Sequence, residues 1–344
     1  MKTVTVRASQ SYEIYIGSAL LDKVGSYCRM LPQVRRICVV SDSNVFPLYG
    51  RKVMTDLKKE GFEASSFVFE AGEAAKNGQT YLELLNTLAQ NQLTRTDLIL
   101  ALGGGVVGDL AGFAAATYFR GIRFIQIPTT VLAAVDSSVG GKTAIDLPGG
   151  KNLAGAFWQP SMVICDTHVL NTLPEAVFRE GCSEIIKYAV LYDPELFELL
   201  EKTGISFPRK EVIARCISHK AQVVAADEFD RGERMKLNLG HTIGHAIEKL
   251  SHYAVSHGAA VAMGMAIIAR GTGCVDAGRI TSLLQQFLLP VQCTYEAEAL
   301  HKAALSDKKR SGNTIDLILP ERIGNCRIET TPCENLKSIL EAGL

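Results

Sequence analysis

Residues 98–118 read LILALGGGVVGDLAGFAAATY, and the order of residue types in this stretch decides the fold. A short apolar run enters three consecutive glycines, which open into a segment rich in alanine and glycine. The reading is a buried strand, a tight turn and a small-residue helix. Gly103, Gly105 and Gly108 satisfy GxGxxG, in which glycine backbone approaches a pyrophosphate whose charge a helix amino terminus favours. The motif alone is weak, and a turn that serves only strand–helix packing is the competing reading. No acid closes the next strand, FIQIPTT (124–130), where a ribose-binding carboxylate is usual. Asp42, which ends ICVVSD (37–42) and is followed by Asn44, takes that part across neighbouring strand ends, or serves as a plain turn former.

Working outward, ICVVSD, SSFVF (65–69), LILALGGG and FIQIPTT alternate with helix-length segments such as YLELLNTLAQ. Short buried strands separated by helices predict a parallel α/β sheet, with ligands beyond the carboxyl ends of its strands. After Leu173 the pattern becomes helical: PEAVFREGCSEIIKYAVL, KEVIARCISHKAQVVAA, LNLGHTIGHAIE, AVAMGMAIIARG and ITSLLQQFLL, with one strand-like piece, IDLILP (315–320). The expected division is an α/β domain at 1–173 and a helical domain at 174–344.

Composition narrows the function. Over 344 residues, Lys+Arg and Asp+Glu each total 36, so no global basic excess exists to hold nucleic acid or an acidic membrane. Nine scattered cysteines without a CxxC pair argue for reduced thiols in the cytoplasm. The start, MKTVTVRASQSYEIYIG, lacks an apolar signal core, and the longest apolar run, 259–269, is too short to span a bilayer. The expectation is a soluble enzyme with no nucleic-acid or membrane partner.

In LNLGHTIGH (237–245), His241 and His245 are four apart, metal-ligand spacing on one helical face. Ile243, Ala246, Ile247 and Leu250 form the apolar stripe. His241, His245, Glu248 and His252 form a second stripe, which reads equally as a ligand face or a solvated one. HExxH fails because Thr242 stands where glutamate is needed. Glycines beside the histidines favour close approach by another element. In GCSEIIKYAV, Glu184 and Lys187 lie off the apolar face, by default a surface pair. A catalytic zinc takes two histidines, a carboxylate and an open position, and His257 in SHGAAVAMGM is a candidate second histidine. DSSVGGKT (136–143) resembles a phosphate loop but has Asp136 where that motif needs glycine. Lys142 and Lys151 are candidate anion binders, or ordinary solvated lysines.

Taken together, GGGVVGDLAGFAAATYFRG, IPTTVLAAVDSSVGGKTAID, GGKNLAGAFWQP, SEIIKYAV, KAQVVAADE, LNLGHTIGHAIE, SHGAAVAMGM and DKK resemble, in order and spacing, the 3-dehydroquinate synthase family of sugar-phosphate cyclases. The resemblance covers nearly the whole chain. It implies a Rossmann-like α/β domain followed by a helical domain, a homodimer, and an NAD-dependent enzyme using zinc or cobalt. The implied reaction converts a heptulosonate phosphate to dehydroquinate and phosphate by transient oxidation, phosphate elimination, re-reduction and intramolecular aldol closure. By motif, the implied metal ligands are Glu184, His241 and His257. The implied NAD positions are Asp42, Asn44, Glu73, Lys76, Gly104, Gly105, Val106, Asp109, Thr129, Thr130 and Lys151, some shared with substrate, and Lys142 lies beside them. The implied substrate positions are Arg120, Asp136, Lys142, Asn152, Lys187, Lys220, Arg234, Asn238, His245 and a lysine of Lys308–Lys309, with Arg120 reaching across the dimer.

Two departures stand out. Ala259 replaces the carboxylate of the usual HGEAVA, and GGKTAID, with Ala144 and Asp146, replaces GGKTGIN. The rival readings are a cyclase of the 2-deoxy-scyllo-inosose or valiolone type, a metal-dependent polyol dehydrogenase, and a non-catalytic NAD- and metal-binding regulator.

Overall fold

The computed structural model describes residues 1–305, 310–311 and 313–344. The described chain divides into two units, Met1–Leu173 with Lys220–Phe229, and Pro174–His219 with Asp230–Leu344. The sequence leads one to expect a single cut after Leu173. Lys220–Phe229 departs from it because polar contacts tie the segment to the first unit: Lys220 Nζ donates to the Asp136 carboxylate at 2.9 Å, and Glu228 accepts from Ser9 and Gln159.

The first unit is built on strands β1 (Lys2–Val6), β2 (Tyr12–Gly17), β3 (Arg36–Asp42), β4 (Glu63–Phe69), β5 (Leu98–Gly103), β6 (Arg123–Pro128), β7 (Lys142–Leu147), β8 (Gly150–Phe157) and β9 (Met162–Asp166), with helices α1 (Val24–Arg29), α2 (Arg51–Lys59), α3 (Gly78–Gln90) and α4 (Gly105–Thr117). Seven strands form one sheet in the order β1-β2-β9-β6-β5-β3-β4. It is parallel except for the β1–β2 pair. All six residues of β5 are buried, as its unbroken apolar run requires of a central parallel strand. From β3 the chain adds β4 on one side and β5 on the other, so the order reverses between β3 and β5. Ligands of open α/β sheets bind at such a switch point, beyond the strand ends. The last β3–β5 pair is Val40 with Ala101, and both strands end two residues later, at Asp42 and Gly103.

The small-residue composition of α4 has a packing cause. A Cβ on Gly112 would overlap the Thr143 side chain of β7 and approach Phe124 of β6 to 3.2 Å. Helix α4 thus lies against both the main sheet and the separate antiparallel β7–β8 hairpin. That hairpin and β9 carry no strong sequence signal; glycines break the first, and β9 is only five residues long.

The second unit carries α5 (Glu175–Tyr192), α6 (Pro194–Thr203), the part of α7 (Arg209–Ala226) up to His219, α8 (His241–Leu250), α9 (His257–Gly271), α10 (Ala277–Gln286), α11 (Ala297–Ala304) and α12 (Cys333–Gly343). It also holds an antiparallel sheet of β10 (Arg310–Ser311), β11 (Thr314–Arg322) and β12 (Asn325–Pro332), larger than the single strand-like piece expected in a helical domain. Helix α9 is buried along nearly its whole length, with α5, α8, α10 and α12 packed around it. Among the described residues no helix is long and apolar enough to cross a membrane.

Candidate functional site

In the first unit the side chains of interest gather at the carboxyl ends of β3, β5 and β6. Asp42 Oδ1 accepts the main-chain N–H groups of Asn44 at 2.9 Å and Val45 at 2.8 Å, so one oxygen makes the turn after β3. Gly104 and Gly105 open α4, whose first turn has no side-chain cap and so leaves its N–H groups for an anion. Thr130 Oγ1 accepts from the Ala133 N–H at 3.1 Å, while Thr129 Oγ1 is buried with no hydrogen-bond partner among the described residues. An orphaned hydroxyl here suits a polar ligand, because burial without a partner costs about 1–3 kcal/mol.

Lys76 organises a second group. Its ammonium, 3% exposed, lies 2.9 Å from Glu73, 3.1 Å from Asp109 and 2.8 Å from Asn152 Oδ1. Burial pulls the Lys76 pKa down, but the Asp109 and Glu73 charges outweigh it and leave the pKa raised. Burial, opposed by Lys76 and reinforced by Glu73 and Asp146, pushes Asp109 up to about 6. Elsewhere in the unit Lys220 donates to the Asp136 main-chain oxygen at 2.7 Å as well as to its carboxylate. Lys142 is exposed at the start of β7, Lys151 is half-buried at the start of β8, and Arg120 is exposed with a φ of 64°.

In the second unit three helices converge. Glu184 and Lys187, by spacing alone a default surface pair and by the family resemblance a metal ligand and a substrate contact, are each only 1% exposed and form a buried ion pair on α5. Their face is covered by the first turns of α8 and α9, which place His241 and His257 as the opening residue of each helix. His241 Nε2 is 3.6 Å and His257 Nε2 3.7 Å from Glu184 Oε1. Among the described residues neither Glu184 oxygen accepts a hydrogen bond of ordinary geometry, Oε2 being held in the ion pair with Lys187.

The opposite ring nitrogens set the tautomers. His241 Nδ1 lies 3.1 Å from the Leu239 carbonyl oxygen and His257 Nδ1 3.3 Å from Glu248 Oε2. Both partners can only accept, so each Nδ1 carries the proton and each Nε2 offers a lone pair toward Glu184. Two imidazole nitrogens and a carboxylate whose Oε1 faces them while Oε2 pairs with Lys187, with donor atoms within 4.8 Å of one another, form a donor set that fits zinc or cobalt, at about 2.0–2.2 Å from each ligand. For His257, burial lowers the pKa, but the Glu248 hydrogen bond and the Glu184 charge outweigh it and leave the pKa raised.

Glu248 is the residue that sequence reasoning undervalued. It shares the polar stripe of α8 but is 5% exposed, because that stripe faces another helix start instead of water. Its contact also bears on Ala259: the carboxylate partner of His257 comes from α8, so alanine at 259 does not strip the ring of one. His245 lies outside the Glu184 group; its ring centroid is 5.6 Å from that of His241 and 6.1 Å from that of His257. His252 is exposed. Arg234, 2% exposed, and Asn238 sit on the short 3-10 helix Glu233–Asn238 that leads into α8. Lys308 and Lys309 lie outside the described residues.

Glycines make this convergence possible. A Cβ on Gly264 of α9 would overlap the Gly240 carbonyl oxygen and come within 3.0 Å of the Gly244 nitrogen. The element that approaches the glycines of LNLGHTIGH is therefore α9. A Cβ on Gly258 would likewise overlap the Glu180 carbonyl of α5.

Two family models match the chain, 3-dehydroquinate synthase N-terminal over residues 66–180 and 3-dehydroquinate synthase C-terminal over residues 181–310. A 3-dehydroquinate synthase from Enterococcus faecalis is 42% identical over 99% of this chain and 98% of that protein. Among solved structures, a 2-deoxy-scyllo-inosose synthase complexed with carbaglucose-6-phosphate, NAD+ and Co2+ aligns over 100% of both chains, with a TM-score of 0.89 and 26% identity. The 2-epi-5-epi-valiolone synthase of Streptomyces hygroscopicus subsp. jinggangensis, with NAD+ and Zn2+ bound, aligns over 98% of both chains, with a TM-score of 0.88 and 26% identity.

Proposed function

The chain belongs to the 3-dehydroquinate synthase family, and from that premise we propose that it converts 3-deoxy-D-arabino-heptulosonate 7-phosphate to 3-dehydroquinate and phosphate. It acts as an NAD- and divalent-metal-dependent carbon–oxygen lyase of the shikimate pathway, in the cytoplasm and as a homodimer. The observation that carries the chemistry is the Glu184–His241–His257 group, whose two imidazoles turn Nε2 toward Glu184 Oε1.

When bound, NAD supplies reversible hydride transfer, and zinc or cobalt supplies Lewis-acid polarisation of ring oxygens. Glu184, His241 and His257 would hold the cation, and Lys187 balances the charge of Glu184. On the nucleotide side, Asp42 and Asn44 take ribose hydroxyls, and the N–H groups of Gly104, Gly105 and Val106 take the pyrophosphate. Glu73, Lys76, Asp109, Thr129, Thr130 and Lys151 complete that side. A substrate with both a phosphate and a carboxylate needs several separated cationic donors. Lys142, Asn238, His245 and a lysine of Lys308–Lys309 serve the phosphate; Arg234, Lys220 and Asn152 serve the carboxylate and hydroxyls. Asp136 holds the Lys220 ammonium in place, and Arg120 reaches a second copy.

Turnover should release one phosphate per dehydroquinate with no accumulating NADH, since oxidation and reduction cancel within a cycle. Absorbance from NADH growing in step with product would indicate a dehydrogenase. Turnover of a carboxylate-free heptulose phosphate alone would indicate a cyclase of the inosose or valiolone type.

The Glu248 contact predicts a graded effect on the metal. Partners that orient a ligating histidine are typically worth 10–100-fold in affinity, so Glu248→Ala should weaken zinc binding by about that factor. Glu248→Gln, which keeps an accepting oxygen for His257 Nδ1, should retain most of it. Zinc affinity measured against a competing chelator is the readout. Equal affinity in wild type and Glu248→Ala would reduce Glu248 to a packing residue.

A further inference from the structure

Asp146 faces a β-bulge. Ile145 pairs with Ala154 and Leu147 with Gly150, so residues 151–153 of β8 stand opposite Asp146 alone; the extra residues, Asn152 among them, are on β8, and bulges commonly re-aim a side chain. The Asp146 N–H donates to the Lys76 carbonyl at 2.8 Å. Asp146 Oδ1 accepts the Asn152 N–H at 2.8 Å, and Asn152 Oδ1 accepts from Lys76 Nζ at 2.8 Å. The three residues close a ring of hydrogen bonds across the hairpin. Asn152 holds a left-handed backbone, with φ 54°, which asparagine tolerates better than most residues but at some conformational cost. An ammonium can only donate, so the bond from Lys76 also settles which way the Asn152 amide faces: Oδ1 toward Lys76, the NH2 group away from it.

We propose that Asp146 is a positioning residue for substrate binding: its bond to the Asn152 main chain holds that residue in the left-handed conformation from which the amide NH2 meets an oxygen of the sugar phosphate. The proposal rests on the reading of Asn152 as a substrate contact. The charged groups around Asp146 are Lys76, Glu73 and Lys151, with Asp109 on the far side of Lys76. Lys76 keeps Glu73 and Asp109 when Asp146 is changed, so the nucleotide side should be affected less than the substrate side.

The test is steady-state kinetics on the full chain loaded with zinc and NAD, using the heptulosonate phosphate, for wild type, Asp146→Ala, Asp146→Asn, Asn152→Ala and the Asp146→Ala/Asn152→Ala double variant. Asp146→Ala should raise KM about fivefold, the size of effect expected for one exposed hydrogen bond to a charged group, while the NAD dissociation constant changes less than about twofold. Asp146→Asn retains an accepting oxygen and should stay within about twofold of wild type. The double variant should match Asn152→Ala alone, because a residue acting through Asn152 has nothing left to position. If Asp146→Ala does not fold, Asp146→Ser, with a side chain too short for the bond, takes its place. An unchanged KM in Asp146→Ala, equal damage in Asp146→Asn, or effects that multiply in the double variant would overturn the proposal while leaving the function intact. No turnover by wild type would overturn both.

Discussion

His241→Ala should yield a folded protein that loses zinc on dialysis and turns over at least roughly a thousandfold more slowly, whereas His245→Ala should keep its zinc. The two histidines share a helical face four residues apart, yet only His241 has Nε2 directed at Glu184, 3.6 Å away, with its proton fixed on Nδ1 by Leu239. Removing it takes one of three donors from the site. A cation bound by the remaining two exchanges readily, and losing several kcal/mol of charge stabilisation corresponds to the stated drop in rate. His245 lies outside the Glu184 set, in a second group with Glu248 and His257 that could also hold a cation; on the proposed reading, in which it serves the phosphate, its loss should appear as slower proton transfer and weaker phosphate binding, roughly a hundredfold in rate. Metal analysis beside turnover decides the matter. Equal zinc loss in both variants, or full retention in His241→Ala, would sink this division of labour.

Gly264→Ala should destabilise the second unit by about 3 kcal/mol or more, since the added methyl would overlap a backbone carbonyl that cannot move without separating two helices. For a unit of this size that corresponds to a melting temperature lower by roughly 10 °C. The same displacement should carry His241 and His257 apart, so zinc affinity should fall together with stability although no ligand is altered. Gly278→Ala is the control. Nothing lies within 4 Å of a Cβ built there, and alanine is the better helix former, so α10 should be unharmed or slightly steadier. A Gly264→Ala protein that melts and binds zinc like wild type would refute the close helix crossing as the device that assembles the site.

Several elements were legible because a local pattern carries them. The run LILALG becomes a fully buried strand, since a central parallel strand has two covered faces and needs no alternation. The glycine turn, the small-residue helix and the strand-end Asp42 likewise follow from residue type and order. Other features have no local signature. The β7–β8 hairpin is hidden by its glycines and exposed alternate residues, and the β11–β12 pair in the second unit depends on partners far from the region that looks helical.

By itself the sequence determined the alternation of strands and helices, the place of the glycine turn, the spacing of the histidines and, through motif order, the family. Each is a property of neighbours along the chain, where a period of two or 3.6 residues and a glycine's missing side chain act directly. Only the tertiary structure decided that Glu184 and Lys187 are buried instead of solvated, that Glu248 meets His257, and that Asp146 reaches Asn152. A charged stripe on a helix looks the same whether it faces water or another helix. What it faces is set by close backbone contacts, here Gly264 against Gly240 and Gly258 against Glu180, between residues that no sequence period relates.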